Sequence, residues 1–231
     1  MIKLYKLYEQ ILSKPRLGRY LIATQGKKPQ AIKLYKHNLR LSQALFGAIS
    51  LIEIALRNAI DQHYQKELQQ IDWLQAEIKS NGLFFHPTLR NRAARFEQAE
   101  KIKSTIHFLG KAYSHNKLVA ELSFGFWRYM FSGIQYNVFG NTLLQIFPNR
   151  PKGINQKVVY QKLTEINNLR NRIAHHEPIC FDGNNQPSTQ YSQKHYQDII
   201  DLLEWFGYSP TQMMSGIESP HKNWKKIDEL R

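Results

Sequence analysis

Two guanidiniums, an amide and two imidazoles fall between Arg170 and His176 in the stretch Leu169-Arg170-Asn171-Arg172-Ile173-Ala174-His175-His176-Glu177-Pro178. Arginine grips phosphate with a planar, two-pronged fork. Histidine takes up and releases protons near neutral pH. Together they suit phosphodiester chemistry without a metal. Cleaving RNA requires a base for the 2′-OH proton, an acid for the leaving 5′-oxygen and cations for the charge on the phosphorane. The attacking hydroxyl belongs to the RNA, so DNA is not a substrate. The expected products carry a 2′,3′-cyclic phosphate and a 5′-OH.

The apolar residues Val158, Val159, Leu163, Ile166, Leu169 and Ile173 predict a helix from near Asn155 that carries this stretch. Pro178 disfavours helix at the residue before it. On that helix Asn171 and His175 share a face, as do Arg172 and His176. Arg170 and His175 lie about 140° apart in projection, so one regular helix does not join them. Two resolutions follow. The helix distorts or ends before His175, or two copies face each other across a two-fold axis and pool their Arg and His groups. Taken singly, Arg170 and Arg172 fit surface salt bridges, and His175 fits a cation at a helix C-terminus. The cluster as a whole favours a site.

A second polar pair lies in a long predicted helix, from about Ala31 to Leu68, with the stripe Leu41, Leu45, Ala48, Ile52, Ala55 and Ala59. Glu53 and Arg57 are expected to pair along one face of it, partly buried. The plain reading is an intrahelical salt bridge. The functional one has Arg57 leaning towards His175 as a supporting group.

The other elements read as helix and loop. A short helix covers residues 3–12 and stops at Pro15, and Arg16 to Gln30 is a basic loop with Gly18, Gly26 and Pro29. A helix from Thr88 to about His107 carries Arg90, Arg92, Arg95, Lys101 and Lys103, a solvated face or a phosphate-tracking surface. Lys111 to Leu118 is a polar turn. Val119 to Phe131 has aromatics on all sides and forms one deeply buried or interfacial helix. Residues 178–194 are loop, and His195 to Phe206 is helix. From Ser209 the chain is polar and basic, with one short helix around Thr211 to Ser215. No strand pattern is long enough for a sheet. The expected fold is all-α, a bundle of four or five main helices.

Hydrophobic residues make up 42% of the 231, enough for a real core. Lys and Arg number 32 against 18 Asp and Glu, a net charge of +14 that attracts polyanions. The single cysteine, Cys180, excludes an internal disulfide and fits a reducing cytoplasm. The N-terminus is not a signal peptide, and charged or polar residues interrupt the apolar runs, so no membrane partner is expected. His175, His176, Cys180 and Asp182 lie near one another, but neighbouring helical histidines point apart and no HExxH or paired CxxC occurs. No metal is expected. Without a Gly-rich phosphate loop, no nucleotide cofactor is expected either.

Four blocks in order carry a family resemblance: Ala31-Ile32-Lys33-Leu34-Tyr35 with Asn38; Leu51-Ile52-Glu53-Ile54-Ala55-Leu56-Arg57-Asn58; Glu121-Leu122-Ser123-Phe124-Gly125-Phe126-Trp127; and Leu169 to Pro178. The chain resembles the Abi-like proteins of bacterial abortive-infection phage defence, within the HEPN superfamily. Arg170, Asn171 and His175 match the HEPN signature of Arg, a polar residue, variable positions and His, and His176 allows a longer spacing. The resemblance implies an HEPN-type helical bundle with additional N-terminal and peripheral helices. Its divisions are an N-terminal helix and loop (1–30), the Abi-like domain (31–208) and a basic C-terminal tail (209–231). It further implies a metal-independent endoribonuclease acting as an antiviral toxin, often a homodimer, restrained in some members by an antitoxin or a noncoding RNA. Arg170 then stabilises the phosphate, His175 is general acid or base, and Asn171 orients the site. Arg172, His176, Glu53 and Arg57 are secondary candidates. The alternatives are a non-catalytic RNA-binding or ribonucleoprotein defence component, and a protein-interaction module using the aromatic helix around Trp127.

Overall fold

The computed structural model describes residues 2–86 and 94–230. The chain is all-α, with no strand among the described residues beyond an isolated bridge between Phe181 and Pro187. In chain order the helices are α1 (Ile2–Leu12), α2 (Lys14–Ala23), α3 (Lys28–Glu67), α4 (Trp73–Glu77), α5 (Ala94–Leu109), α6 (His115–Glu121), α7 (Phe124–Tyr129), α8 (Gly133–Val138), α9 (Gln156–Ala174), α10 (Gln190–Trp205), α11 (Pro210–Met213) and α12 (His221–Asp228). They form two compact units. One takes the chain up to Ser50, Asn168–Asp201 and the segment from Pro210 on; the other takes Leu51–Asn167 and Leu202–Ser209.

The first unit is built on the N-terminal half of α3, where Leu34, Leu41, Leu45 and Ala48 are buried at helical spacing. Leu169 and Ile173 of α9 and Ile199 of α10 add to its buried residues. The expected loop over Arg16–Gln30 is a helix as far as Ala23, a correction with a simple cause. Pro15 lies in the first turn of α2, where a missing N–H leaves nothing unsatisfied. Leu17, Tyr20 and Ala23 then recur three apart and are buried. The C-terminal segment also folds back into this unit. Trp224 and Ile227 of α12 are buried, Trp224 Nε1 donates to Ser192 Oγ at 2.9 Å, and Thr189 Oγ1 donates to the Asp228 carboxylate at 2.8 Å.

The second unit has an aromatic core. The Tyr64 ring lies 5.0 Å from Trp73 and 4.9 Å from Phe139, and Phe84 lies 5.1 Å from Phe139. The single aromatic helix expected over Val119–Phe131 is two helices. Leu122 is extended, Ser123 Oγ accepts from Phe126 N to cap α7, and Ser132 repeats this for α8. Trp127 is fully buried and its Nε1 donates to Leu122 O at 3.1 Å, which removes it as an exposed interaction face. The expected polar turn before it contains most of α6, which Ser114 caps. By length and composition α3 also qualifies as a membrane span, yet its stripe from Leu34 through Ile52, Leu56 and Ile60 is buried in the protein.

Candidate functional site

The stretch from Leu169 to Pro178 forms the end of α9 and the turn after it. His175 N donates to Asn171 O at 2.9 Å, so helical bonding runs through His175. The chain then turns off. His176 N donates to Ile173 O at 3.0 Å, Glu177 N donates to Arg172 O at 2.8 Å, and His176 adopts φ 56°. This is the Schellman pattern, which satisfies carbonyls that a helix end leaves open. Gln25 and Gln69, at φ 53° and 48°, hold the same place after α2 and α3. The left-handed backbone is therefore not what singles out His176.

The helix ends at Ala174, before His175, as the first of the two expected resolutions has it, and His175 keeps one last helical hydrogen bond. Arg170 and His175 stay about 140° apart around the axis. Asn171 and His175 share a face and are both exposed. Arg170 is half-buried, and its Nε, like those of Arg57, Arg128 and Arg172, is shielded from solvent without a hydrogen-bond partner among the described residues. An unpaired guanidinium N–H is costly unless a ligand supplies the acceptor.

Arg172 has a different occupation. Its Nη2 donates to Pro178 O at 2.6 Å, its guanidinium stacks 4.9 Å over the Tyr191 ring, and Nε lies 3.5 Å from Glu177 Oε2. These contacts brace the turn that presents both histidines. Behind Tyr191, at 4.4 Å between ring centroids, His195 is buried with its Nδ1 3.2 Å from Asp198 Oδ2.

His176 and Glu177 line a cleft of about 310 Å³ together with Arg16, Tyr35, Asn38 and Ser42. Asn38 is 5% exposed, and its Oδ1 accepts from Ile179 N at 2.9 Å, tying the chain after Pro178 to α3.

A family model described as Abi-like protein matches residues 2–180, more than three quarters of the chain. The chain belongs to the Abi-like protein family. No curated protein and no solved structure matches it. The Abi-like match ends at Cys180, just past the α9 turn, and membership points to abortive-infection defence. It takes in Asn38 and the α9 end but not α10, α11 or α12.

Within the second unit of this Abi-like chain, Glu53 and Arg57 are both half-buried, and no ion pair joins them among the described residues. Arg57 Nη1 instead donates to Ala120 O at 3.2 Å. That carbonyl lies in the last turn of α6, where acceptors are open and a cation is favoured. Arg57 therefore stabilises a helix end, and the expected salt bridge to Glu53 is not formed among the described residues. Of the basic residues expected near the start of α5, Arg90 and Arg92 and the side chain of Arg95 lie outside the described residues. Lys101 and Lys103 pair with Glu97 and Glu100 at 2.7 and 3.0 Å on exposed surface, as a solvated face does. Burial pushes the Cys180 thiol up to about 12, so it stays protonated and inert at neutral pH.

The sequence reading assigned no role to Arg16, Tyr35, Ser42 or Glu177 as cleft residues. Tyr35, Asn38 and Glu177 fall within the blocks of family resemblance, and Asn38 is also a polar side chain in register with the buried stripe Leu34, Leu41, Leu45.

Proposed function

We propose that this Abi-like chain is a metal-independent endoribonuclease of the HEPN type, acting in the cytoplasm as a defence toxin. One observation carries the reading. The end of α9 exposes Asn171 and His175 on one face, next to Arg170, whose Nε, like those of Arg57, Arg128 and Arg172, has no partner among the described residues. A phosphate oxygen is a natural acceptor for a guanidinium N–H. His175 exchanges the proton of the 2′-OH or of the 5′-leaving oxygen, Arg170 stabilises the phosphorane charge, and Asn171 orients the RNA backbone. A net charge of +14 draws the polyanion in.

Five residues of spacing at the end of α9 set Arg170 and His175 far apart around the helix axis, so the working site is composite. Arg170 of one copy meets His175 of another across a two-fold axis. The partners are RNA as substrate, a second copy of the chain, and an antitoxin or noncoding RNA that restrains the toxin.

The test is a defined RNA incubated with the protein in EDTA, beside the same RNA carrying a 2′-deoxy sugar at the mapped cut. Cyclic-phosphate ends from the first and an intact second strand support the reading. Cutting of both strands contradicts it. The second reading is a non-catalytic RNA-binding component, favoured by the charge alone. It predicts salt-sensitive binding without turnover.

A further inference from the structure

We propose that the cleft beside the α9 turn binds one guanine base, that of a nucleotide flanking the bond to be cut. The inference rests on the nuclease reading for its place beside the cut, and on the cleft itself for its chemistry. His176 and Glu177 directly follow His175 and form one wall, so a base lodged there belongs to a nucleotide next to the reacting phosphate. The volume, about 310 Å³, is at the small end of the range for ligand sites and admits a single base. Tyr35, Leu39 and Ile173 supply apolar and aromatic surface for it to lie against.

Two polar groups set the base identity. Asn38 is 5% exposed, and Ile179 N fixes its Oδ1 at 2.9 Å. The carboxamide is thereby oriented, and its NH₂ makes no hydrogen bond among the described residues. It is a donor held at the cleft wall. Glu177 is acceptor-only when ionised. Arg172 Nε, 3.5 Å from Oε2, makes no hydrogen bond to it, and neither carboxylate oxygen accepts a hydrogen bond among the described residues, so both have free lone pairs. A ligand for this pair presents one acceptor beside two donors. The Watson–Crick edge of guanine does so, with O6 for Asn38 and N1–H and N2–H for Glu177. Adenine and cytosine turn a ring-nitrogen acceptor towards the carboxylate, and uracil offers one donor between two acceptors. Arg16, exposed at the rim, is placed to meet the phosphate of the same nucleotide.

The experiment is titration of the full chain with GMP, AMP, CMP and UMP, followed by calorimetry. Glu177→Ala, Asn38→Asp and His175→Ala proteins are titrated in parallel. Asn38→Asp keeps the acceptor for Ile179 N and removes the donor, so the fold is retained. GMP is expected to bind about tenfold or more tighter than the other three. Glu177→Ala and Asn38→Asp each abolish that preference, and His175→Ala keeps it. Equal affinity for all four, binding of none at millimolar concentration, or a GMP preference indifferent to both substitutions overturns the proposal. GMP selectivity without RNA cleavage leaves this inference standing and removes the nuclease reading. Cleavage without GMP selectivity does the reverse.

Discussion

In the second unit His115 is buried between two carboxylates, with Nε2 2.7 Å from Asp61 Oδ1 and Nδ1 3.1 Å from Asp72 Oδ1. Asp61 also accepts from Trp73 Nε1 at 2.8 Å and Gln65 Nε2 at 2.6 Å, and Asp72 accepts from Tyr113 OH at 2.6 Å. At the end of α9 the contrast is complete. His175 and His176 are exposed, their rings make no hydrogen bond among the described residues, and the nearby Arg170 Nε has no acceptor. Both regions combine histidine with charged neighbours. In one, every partner comes from the chain, and the cluster joins α3, the start of α4 and α6. In the other, the imidazoles face solvent and the described residues give them no hydrogen bond. A satisfied polar cluster stabilises a fold, whereas an unsatisfied one is available to a ligand.

That contrast is open to direct attack. His175→Ala is expected to reduce RNA cleavage by about 10²- to 10⁴-fold while changing unfolding free energy by under about 0.5 kcal/mol. Single-turnover rates and a denaturant melt read the two effects. Arg170→Ala and His175→Ala proteins, each inactive alone, regain partial cleavage when mixed, because a mixed dimer rebuilds one intact composite site. No recovery on mixing removes the two-fold model.

His115→Gln reverses the pattern. Removing one partner of a buried ionic cluster costs about 3–5 kcal/mol of stability. The effect also carries a pH signature. Burial pulls the His115 pKa down, but hydrogen bonds and charge from Asp61 and Asp72 outweigh it, and the net position is above the ordinary 6.5. A group raised in the folded state contributes stability that is full below its unfolded pKa and is lost as pH rises through the folded value. The gap in unfolding free energy between wild type and His115→Gln is therefore widest below pH 6.5 and narrows above it. A gap independent of pH contradicts a charged His115. Asn38→Leu is expected to cost less, about 1–3 kcal/mol, for the buried Ile179 N–H it leaves unsatisfied. Lys101→Ala, which breaks an exposed pair, should move stability by under about 1 kcal/mol in the same melts.

The long helices α3 and α9 were legible because their apolar residues recur at helical spacing over many turns. α2 was not. Pro15 and Gly18 read as loop punctuation, although the proline sits where a helix tolerates it and Leu17, Tyr20 and Ala23 supply a short buried face. The break at Ser123 hides in a run that is apolar on every side, and α12 offers little beyond Trp224 and Ile227 in a polar segment. At the site, residue types alone pointed to the cluster from Arg170 to His176, and the family resemblance singled out Arg170, Asn171 and His175 within it. The brace made by Arg172, the reach of Arg57 to Ala120 and the Asn38 wall of the cleft depend on partners distant in sequence, which no local pattern encodes.

The most direct test of the α9 assignment is cleavage of total bacterial RNA in EDTA by wild type and by the Arg170→Ala/His175→Ala double variant, with equal folding verified by melting. Cyclic-phosphate ends are expected from wild type and intact RNA from the variant. Equal cleavage by both, or intact RNA from both, contradicts the assignment.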